Sequence, residues 1–370
     1  LMAGLGREGF GYFALDVTDP SSPRFLFAFE NDPENQKIRH WTANGFLTEQ
    51  DYGGVAGAYN YQKLGEALST PTIFMTSDRT FVAAIGGGLN NTDDKDYGSA
   101  LYLIDLENQG KVFFRNDLAD VSGGLNNSHP AQVTVVTADT TSAATYKGAM
   151  LYSADLQSKL TKINHNAMSG CNGCNRSVDI DMLWTEGDQF GNDALSFNPV
   201  SASIDSADTL WIYFGTGNLD RLQSSVATVQ NRIFAKKDFN FPGAGSGGGV
   251  YWTSPGFKDV TLPGATCPAD SDTGWYINLG RDEKVTNKIQ IEDGVLFAPL
   301  YTPDTAQSCF PGTSTVAEFG YDCGKLVRRT VLGAGQITGV RIFKDKIYGG
   351  VSGIPDTGSD TEVELDNEFK

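Results

Sequence analysis

Residues able to do chemistry are few and gathered in short stretches. Asn90-Asn91-Thr92-Asp93-Asp94-Lys95-Asp96 packs oxygen donors into a turn, and oxygen donors are what a hard Ca²⁺ ion takes. The stretch lacks the alternating ligand spacing and the turn glycine of a calcium loop. Asn91, Asp93, Asp94 and Asp96 therefore read first as a solvated acidic turn and only second as ligands. Asp179, Asp181 and the stretch from Asp188 to Asp193 are weaker versions of the same pattern. Cys171-Asn-Gly-Cys174 has the spacing of half a zinc site, a redox pair or a short disulfide. Zinc needs a second pair nearby, and c-type haem attachment needs a histidine where Asn175 stands. An oxidising compartment favours the disulfide. Cys309 and Cys323 flank a hairpin-sized segment and form the second candidate bridge, which leaves Cys267 odd, either unpaired or bonded to one of the others. Three histidines, His40, His129 and His165, are too few for a multi-histidine metal centre and make a His-dependent triad a poor expectation. No residue is nominated as catalytic.

The elements that would position these groups are strands. Glycine numbers 43 and phenylalanine 22, a balance that interrupts helices and suits half-buried strands. No stretch approaches the ~20 apolar residues of a membrane helix, so no membrane insertion is expected. Lys and Arg total 28 against 45 Asp and Glu, a net charge of −17, and that field repels phosphate backbones, which argues against nucleic acid as a partner. Leu1 to Gly6 has neither a basic n-region nor an apolar h-region. The chain reads as a piece of a longer protein.

Five segments repeat one plan of strand, Asp- or Gly-bearing turn, strand: 71–86, 130–155, 199–215, 287–301 and 338–350. Period-2 alternation around such turns is a hairpin signature. Outer pairs follow at 100–105 with 111–114 and at 159–163 with 182–184, and the opening 11–17 with 25–29 resembles an outer pair whose inner hairpin is missing. Two hairpins per unit make four antiparallel strands, one blade of a β-propeller. The expectation is an all-β propeller over 1–354 with an acidic, solvated tail over 355–370. Tyr61 to Leu68 is the single helical candidate.

Gly9-Phe-Gly-Tyr-Phe-Ala-Leu-Asp-Val-Thr-Asp-Pro20 resembles the GxGYxALDVTDP opening of the C-terminal propeller of type IV pilus tip proteins of the PilY or PilC kind. Further segments agree in order: Ile85 to Asn91 with Ala100 to Asp105, Leu151 to Gln157 (similar to VYAGDLQGN), Leu210 to Asn218, and Gly274 to Leu279 leading to Cys309-Phe-Pro-Gly312. The resemblance implies a modified propeller of about seven four-stranded blades, preceded in full-length members by a variable adhesive region. It also implies a non-enzymatic role at the extracellular pilus tip, reached through the periplasm, with minor pilins as partners and a surface receptor that the loops select. Assembly and extension of the pilus, surface attachment and twitching motility are the implied functions. Two alternatives stand beside it. A quinoprotein dehydrogenase propeller is disfavoured by the absence of vicinal cysteines and of a repeated tryptophan docking motif among five Trp. A secreted carbohydrate- or matrix-binding propeller unconnected to pili would share the fold.

The resemblance also implies an acidic calcium loop of the DxNxDGxxD type before Leu151. Here the ligand positions fall on Thr141, Ala143, Thr145 and Ala149, Lys147 adds a positive charge, and only Asp139 remains as a carboxylate. Alanine has no side-chain ligand and threonine replaces a carboxylate poorly, so no cofactor is expected and calcium is doubtful. A ligand at ~100 times Kd stabilises the native state by about 2.7 kcal/mol. The melting temperature should be the same in EDTA and in millimolar calcium. A rise of several degrees with calcium, abolished by Asp139→Ala, would show that the loop still binds.

Overall fold

Strands form where the chain runs apolar between turns, and they assemble into six sheets with no α-helix among the described residues. The computed structural model describes residues 1–370 except 56, 77–78, 91–96, 119–127, 138–148, 166–177, 182–193, 227, 240, 242–255, 306–310, 344–345, 353–361 and 365–370. The strands fall into two compact units.

The first unit holds three sheets. One is ordered β1 (Met2–Gly4), β2 (Gly11–Asp16), β3 (Arg24–Asp32), β4 (Lys37–Trp41), β5 (Leu47–Asp51). The next is β6 (Thr72–Met75), β7 (Phe81–Gly86), β8 (Ala100–Asp105), β9 (Lys111–Asp117), and the third is β10 (Thr134–Thr137), β11 (Ala149–Ala154), β12 (Leu160–His165), β13 (Val178–Asp181). The second unit contains β14 (Ser201–Ile204), β15 (Leu210–Gly215), β16 (Arg232–Asp238), β17 (Phe257–Asp259) and β18 (Gly274–Asn278), in the order β14-β15-β16-β18-β17. Its other sheets are β19 (Lys284–Val285), β21 (Val295–Thr302), β22 (Thr313–Gly320) and β23 (Leu326–Ala334), with β20 (Gln290–Glu292) on β21, and β24 (Ile337–Phe343), β25 (Lys346–Val351), β26 (Glu362–Glu364). Among the described residues every pairing is antiparallel except β17 with β18.

All five inner hairpins read from the repeats are present, as β6–β7, β10–β11, β14–β15, β20–β21 and β24–β25. The opening pair β2–β3 has a short inner partner, β1, with Met2 opposite Ala14. Three expectations differ from the structure. The strand beside β12 is Val178–Asp181, one step earlier than 182–184, which lie outside the described residues. Tyr61 to Leu68 is not a helix, because its amides bond across to a neighbouring sheet: Gly65 N to Gly87 O at 2.7 Å and Glu66 N to Leu89 O at 2.8 Å. Within 355–370, Glu362–Glu364 pair with β25 as β26.

The central strands are buried on both faces. In β7 and β8, Ala83, Ile85, Tyr102 and Ile104 pack with Tyr12, Phe27 and Phe29 of the first sheet, while Val82, Ala84, Leu101 and Leu103 pack with Val133, Leu151 and Ile163 of the third. Alternate residues of one strand therefore serve two cores. The second unit repeats the scheme. Trp211, Tyr213, Trp275 and Ile277 pack against Leu296, Ala298 and Phe319, and on the other face of that sheet Phe297 and Val316 pack against Ile337 and Val340. The tightest ring contact among the described residues is Phe29 stacked on Tyr61, with centroids 4.0 Å apart. Truncating such a buried ring to alanine costs ~3–5 kcal/mol.

Of the described non-glycine residues at positive φ, one is buried. Ser158, between β11 and β12, sits at φ 66°, where a non-glycine residue is disfavoured by ~1 kcal/mol or more. It is buried, and its hydroxyl has no hydrogen-bond partner. Ser158→Gly should therefore stabilise the protein by about 1 kcal/mol, read as a higher urea midpoint at unchanged slope. A lower midpoint would show that the serine is accommodated without strain.

Candidate functional site

The carboxylates that end apolar strands bind backbone. Asp16 accepts from Thr18 N at 3.0 Å and Thr18 Oγ1 at 2.6 Å, and from the Arg24 guanidinium. The Thr18 bonds, more than Arg24, hold its carboxyl well below the usual range. Asp105 accepts from the amides of Glu107 and Asn108 at 2.9 and 3.0 Å, and Asp155 from that of Lys159 at 2.8 Å. Asp205 receives Ala207 N and Thr209 N at 2.9 Å each and Trp211 Nε1 at 2.8 Å. Burial alone would raise the pKa of Asp205, but the three donors outweigh it and hold the carboxyl low. These are Asx-type turns, in which the side chain replaces a backbone acceptor. Four aspartates that look chemical are thus fasteners of hairpins.

Gly86, Gly87 and Gly88 lie where three backbone segments meet. A Cβ there would stand 2.2 Å from His129 O, 2.5 Å from Gly98 O and 2.1 Å from Glu66 O, so only glycine fits. The approach delivers His129 Nδ1 to within 2.9 Å of Ser153 Oγ, the geometry of a nucleophile and its base. Both residues are 1% exposed. No substrate reaches them, and the pair is structural.

An open cleft of about 630 Å³ lies beside this junction in the first unit, lined by Glu8, Glu30, Asp32, Glu34, Glu66 and Arg39 with Phe10 and Tyr97 among its walls. Arg39 meets Asp32 at 2.7 Å, Glu49 at 3.0 Å and Glu30 at 3.6 Å. Phe10 and Tyr97 stand edge to face, with centroids 5.6 Å apart. Asn31 anchors the 30–35 turn, giving Nδ2 to Leu64 O at 2.7 Å and accepting from Tyr52 Oη at 2.5 Å. The cleft offers carboxylates and no serine, cysteine or histidine among its described lining. Its carboxylates can attract cations. Sequence reasoning missed it, although the acidic run Glu30-Asn-Asp-Pro-Glu34 straight after an apolar strand was a readable signal.

Asp139, Thr141, Ala143 and Thr145 lie outside the described residues, as do Asn91, Asp93, Asp94, Asp96, Cys171, Cys174 and Cys309. Ala149 is buried at the start of β11, opposite Thr137. Among the described residues no three His, Cys, Asp or Glu side chains converge as a metal site. The pairing of Cys323 with Cys309 is corrected. Cys323 is bonded to Cys267, 56 residues away, with Cα atoms 4.9 Å apart. The physical reason is the packing of Gly324, whose added Cβ would meet Val260 Cγ2 at 2.8 Å and Trp275 at 2.9 Å, so this turn lies against the segment that leads to Cys267.

His129 has a consequence for acid stability. Burial, with repulsion from Lys159 second, pushes its pKa down from 6.5 to about 3. The unfolded chain takes up the proton near pH 6.5 and the folded one does not, so the stabilisation is complete above pH 6.5 and falls as pH drops toward 3. On going from pH 7.5 to 5 the loss from this group should be about 2 kcal/mol. His129→Gln should be less stable at pH 7.5 but lose correspondingly less between the two pH values in urea denaturation. Equal losses in variant and parent would exclude His129 as the acid-sensitive group.

No protein-family model matches the chain. A curated relative, the type IV pilus biogenesis factor PilY1 homolog of Xylella fastidiosa (strain Temecula1), is 28% identical over 217 residues, which is 59% of this chain and 14% of the relative. The chain therefore matches only a small part of that protein's length. The crystal structure of the Pseudomonas aeruginosa PilY1 C-terminal domain superposes with a TM-score of 0.67 at 16% identity, covering 96% of this chain and 80% of that one. A europium-containing methanol dehydrogenase aligns at a TM-score of 0.34 and 10% identity, covering 87% of this chain and 49% of that one, too distant to bear on activity. The chain has the β-propeller fold of the PilY1 C-terminal domain, and over more than half its length its sequence is similar to a PilY1 homolog, as its motifs had implied.

Proposed function

We propose that this chain is the C-terminal propeller of a non-enzymatic type IV pilus protein that supports pilus assembly and extension, surface attachment and twitching motility. The observation that carries the reading is the sequence similarity to the PilY1 homolog, on a chain with the fold of the PilY1 C-terminal domain. The non-enzymatic part is supported by the use of the strand-end aspartates as turn fasteners and by the burial of the one Ser–His pair described. The Cys267–Cys323 disulfide suits passage through an oxidising periplasm to an extracellular pilus tip. Minor pilins are the proposed partners within the pilus, and loops on the propeller select any surface receptor.

Deleting the whole gene should reduce surface piliation, attachment and twitching while leaving growth in liquid unaffected, and a plasmid copy should restore all three. Wild-type piliation and motility in the deletion strain would overturn the proposal. A growth defect on an alcohol as sole carbon source would point to the dehydrogenase alternative.

A further inference from the structure

The disulfide joins two pieces of backbone that are held very differently. Cys323 is 4% exposed, in the turn between β22 and β23. That turn is fastened without it: Tyr321 N bonds to Gly294 O at 3.0 Å, Gly320 N to Lys325 O at 2.9 Å, Gly324 N to Gly320 O at 2.8 Å, and Trp275 Nε1 to Tyr321 O at 3.3 Å. Cys267 is exposed, in the connection between β17 and β18. The two ends of that connection are pinned as well. Val260 N bonds to Tyr276 O at 3.1 Å and Asn278 N to Thr261 Oγ1 at 2.8 Å, while Lys237 Nζ donates to Ala269 O at 2.9 Å over the Trp211 ring.

Between the pins the backbone has almost nothing. From 262 to 268 the single backbone hydrogen bond among the described residues is internal, Ala265 N to Leu262 O at 3.0 Å. Leu262 is 75% exposed, and Ala265 is the hydrophobic residue of this segment that packs on the core cluster containing Val260 and Trp275. The disulfide is therefore the main tie on a short flap over the edge of a hydrophobic core. Segments with few buried contacts and few backbone bonds open at low free energy, and an exposed sulfur is the one a thiolate reaches.

We propose that Cys267–Cys323 is a redox-released clasp, opened by a dithiol reductant, which frees residues 262–268 and lifts Ala265 from the core edge while the sheets stay folded. The reductant's thiolate attacks the Cys267 sulfur, and the Cys323 sulfur leaves as a thiolate and takes a proton. The reductant's second thiol then displaces Cys267 as a thiol, leaving the reductant as its own disulfide. Two protein thiols form for each dithiol oxidised. The inference is independent of any role in a pilus.

The test is native-state reduction with dithiothreitol, followed by alkylation and peptide mass spectrometry that reads Cys267 and Cys323 individually. Both should be alkylated, Cys267 faster, with far-UV circular dichroism unchanged. Subtilisin should then cut between 262 and 268 at least ten times faster than in the oxidised protein. Cys267→Ala should show the same cleavage without reductant. Alkylation of the pair only after denaturation would overturn the proposal, as would reduction that abolishes the β-sheet signal, failure of Cys267→Ala to fold, or reduction with no new cleavage at the flap.

Discussion

Close passage of one backbone against another is the constraint on which the first unit depends. Isolated bridges run from Gly6 to Ala67, from Glu66 to Leu89 and from Gly88 to His129, linking its three sheets through the segment that contains Gly86 to Gly88. A side chain at any of those glycines would push a carbonyl away and break a hydrogen bond with it. The second unit uses the same device at Gly215 and Gly217. A Cβ at Gly215 would lie 2.3 Å from a Val285 methyl, and one at Gly217 would lie 2.7 Å from Lys284 Cβ. Gly217 N reaches Leu195 O at 2.7 Å and Val285 N reaches Thr216 O at 3.0 Å. The motifs Ile85-Gly-Gly-Gly-Leu-Asn and Phe214-Gly-Thr-Gly-Asn thus mark equivalent crossings.

Once the sheets are set so closely, the polar groups near the crossings have little choice. His129 is held neutral because its surroundings are dry, and Ser153 serves as its partner rather than as a nucleophile. At the strand ends the same economy appears as aspartates that accept two or three donors each. A buried or half-buried acceptor without donors would cost ~1–3 kcal/mol, so these carboxylates contribute to the fold through the donors they accept.

The hairpins were legible in the sequence because their turns carry Asp or Gly between apolar runs, a local signal that needs no tertiary information. β4 and β5 were not, since Lys37-Ile-Arg-His-Trp41 and Leu47-Thr-Glu-Gln-Asp51 are largely polar. Beside their backbone ladder they share cross-strand ion pairs, with Lys37 Nζ 2.6 Å and Arg39 Nε 3.0 Å from Glu49, and charge pairing across strands leaves no hydrophobic period to detect. The disulfide was misassigned for a related reason. Sequence distance favoured Cys309 for Cys323, whereas the contact with Cys267 depends on Gly324 fitting against Trp275, a fact of packing between two sheets. The cleft was missed because its residues come from four separate stretches, around 8–10, 30–39, 66 and 97.

A division of labour follows from where the hydrogen bonds go. Sheet hydrogen bonds, crossing glycines and capping aspartates occupy the strands and their ends, and together they specify the fold with few particular side chains. Among the described residues the connection 262–268 contributes little to that network, so its side chains can change with little disturbance to it. That connection carries an exposed leucine and one half of a disulfide, whereas the acidic cleft is lined in part by Glu30, Asn31 and Asp32 of β3, which are paired in their sheet. A change on the surface of that connection therefore leaves the strand hydrogen bonds beneath it in place.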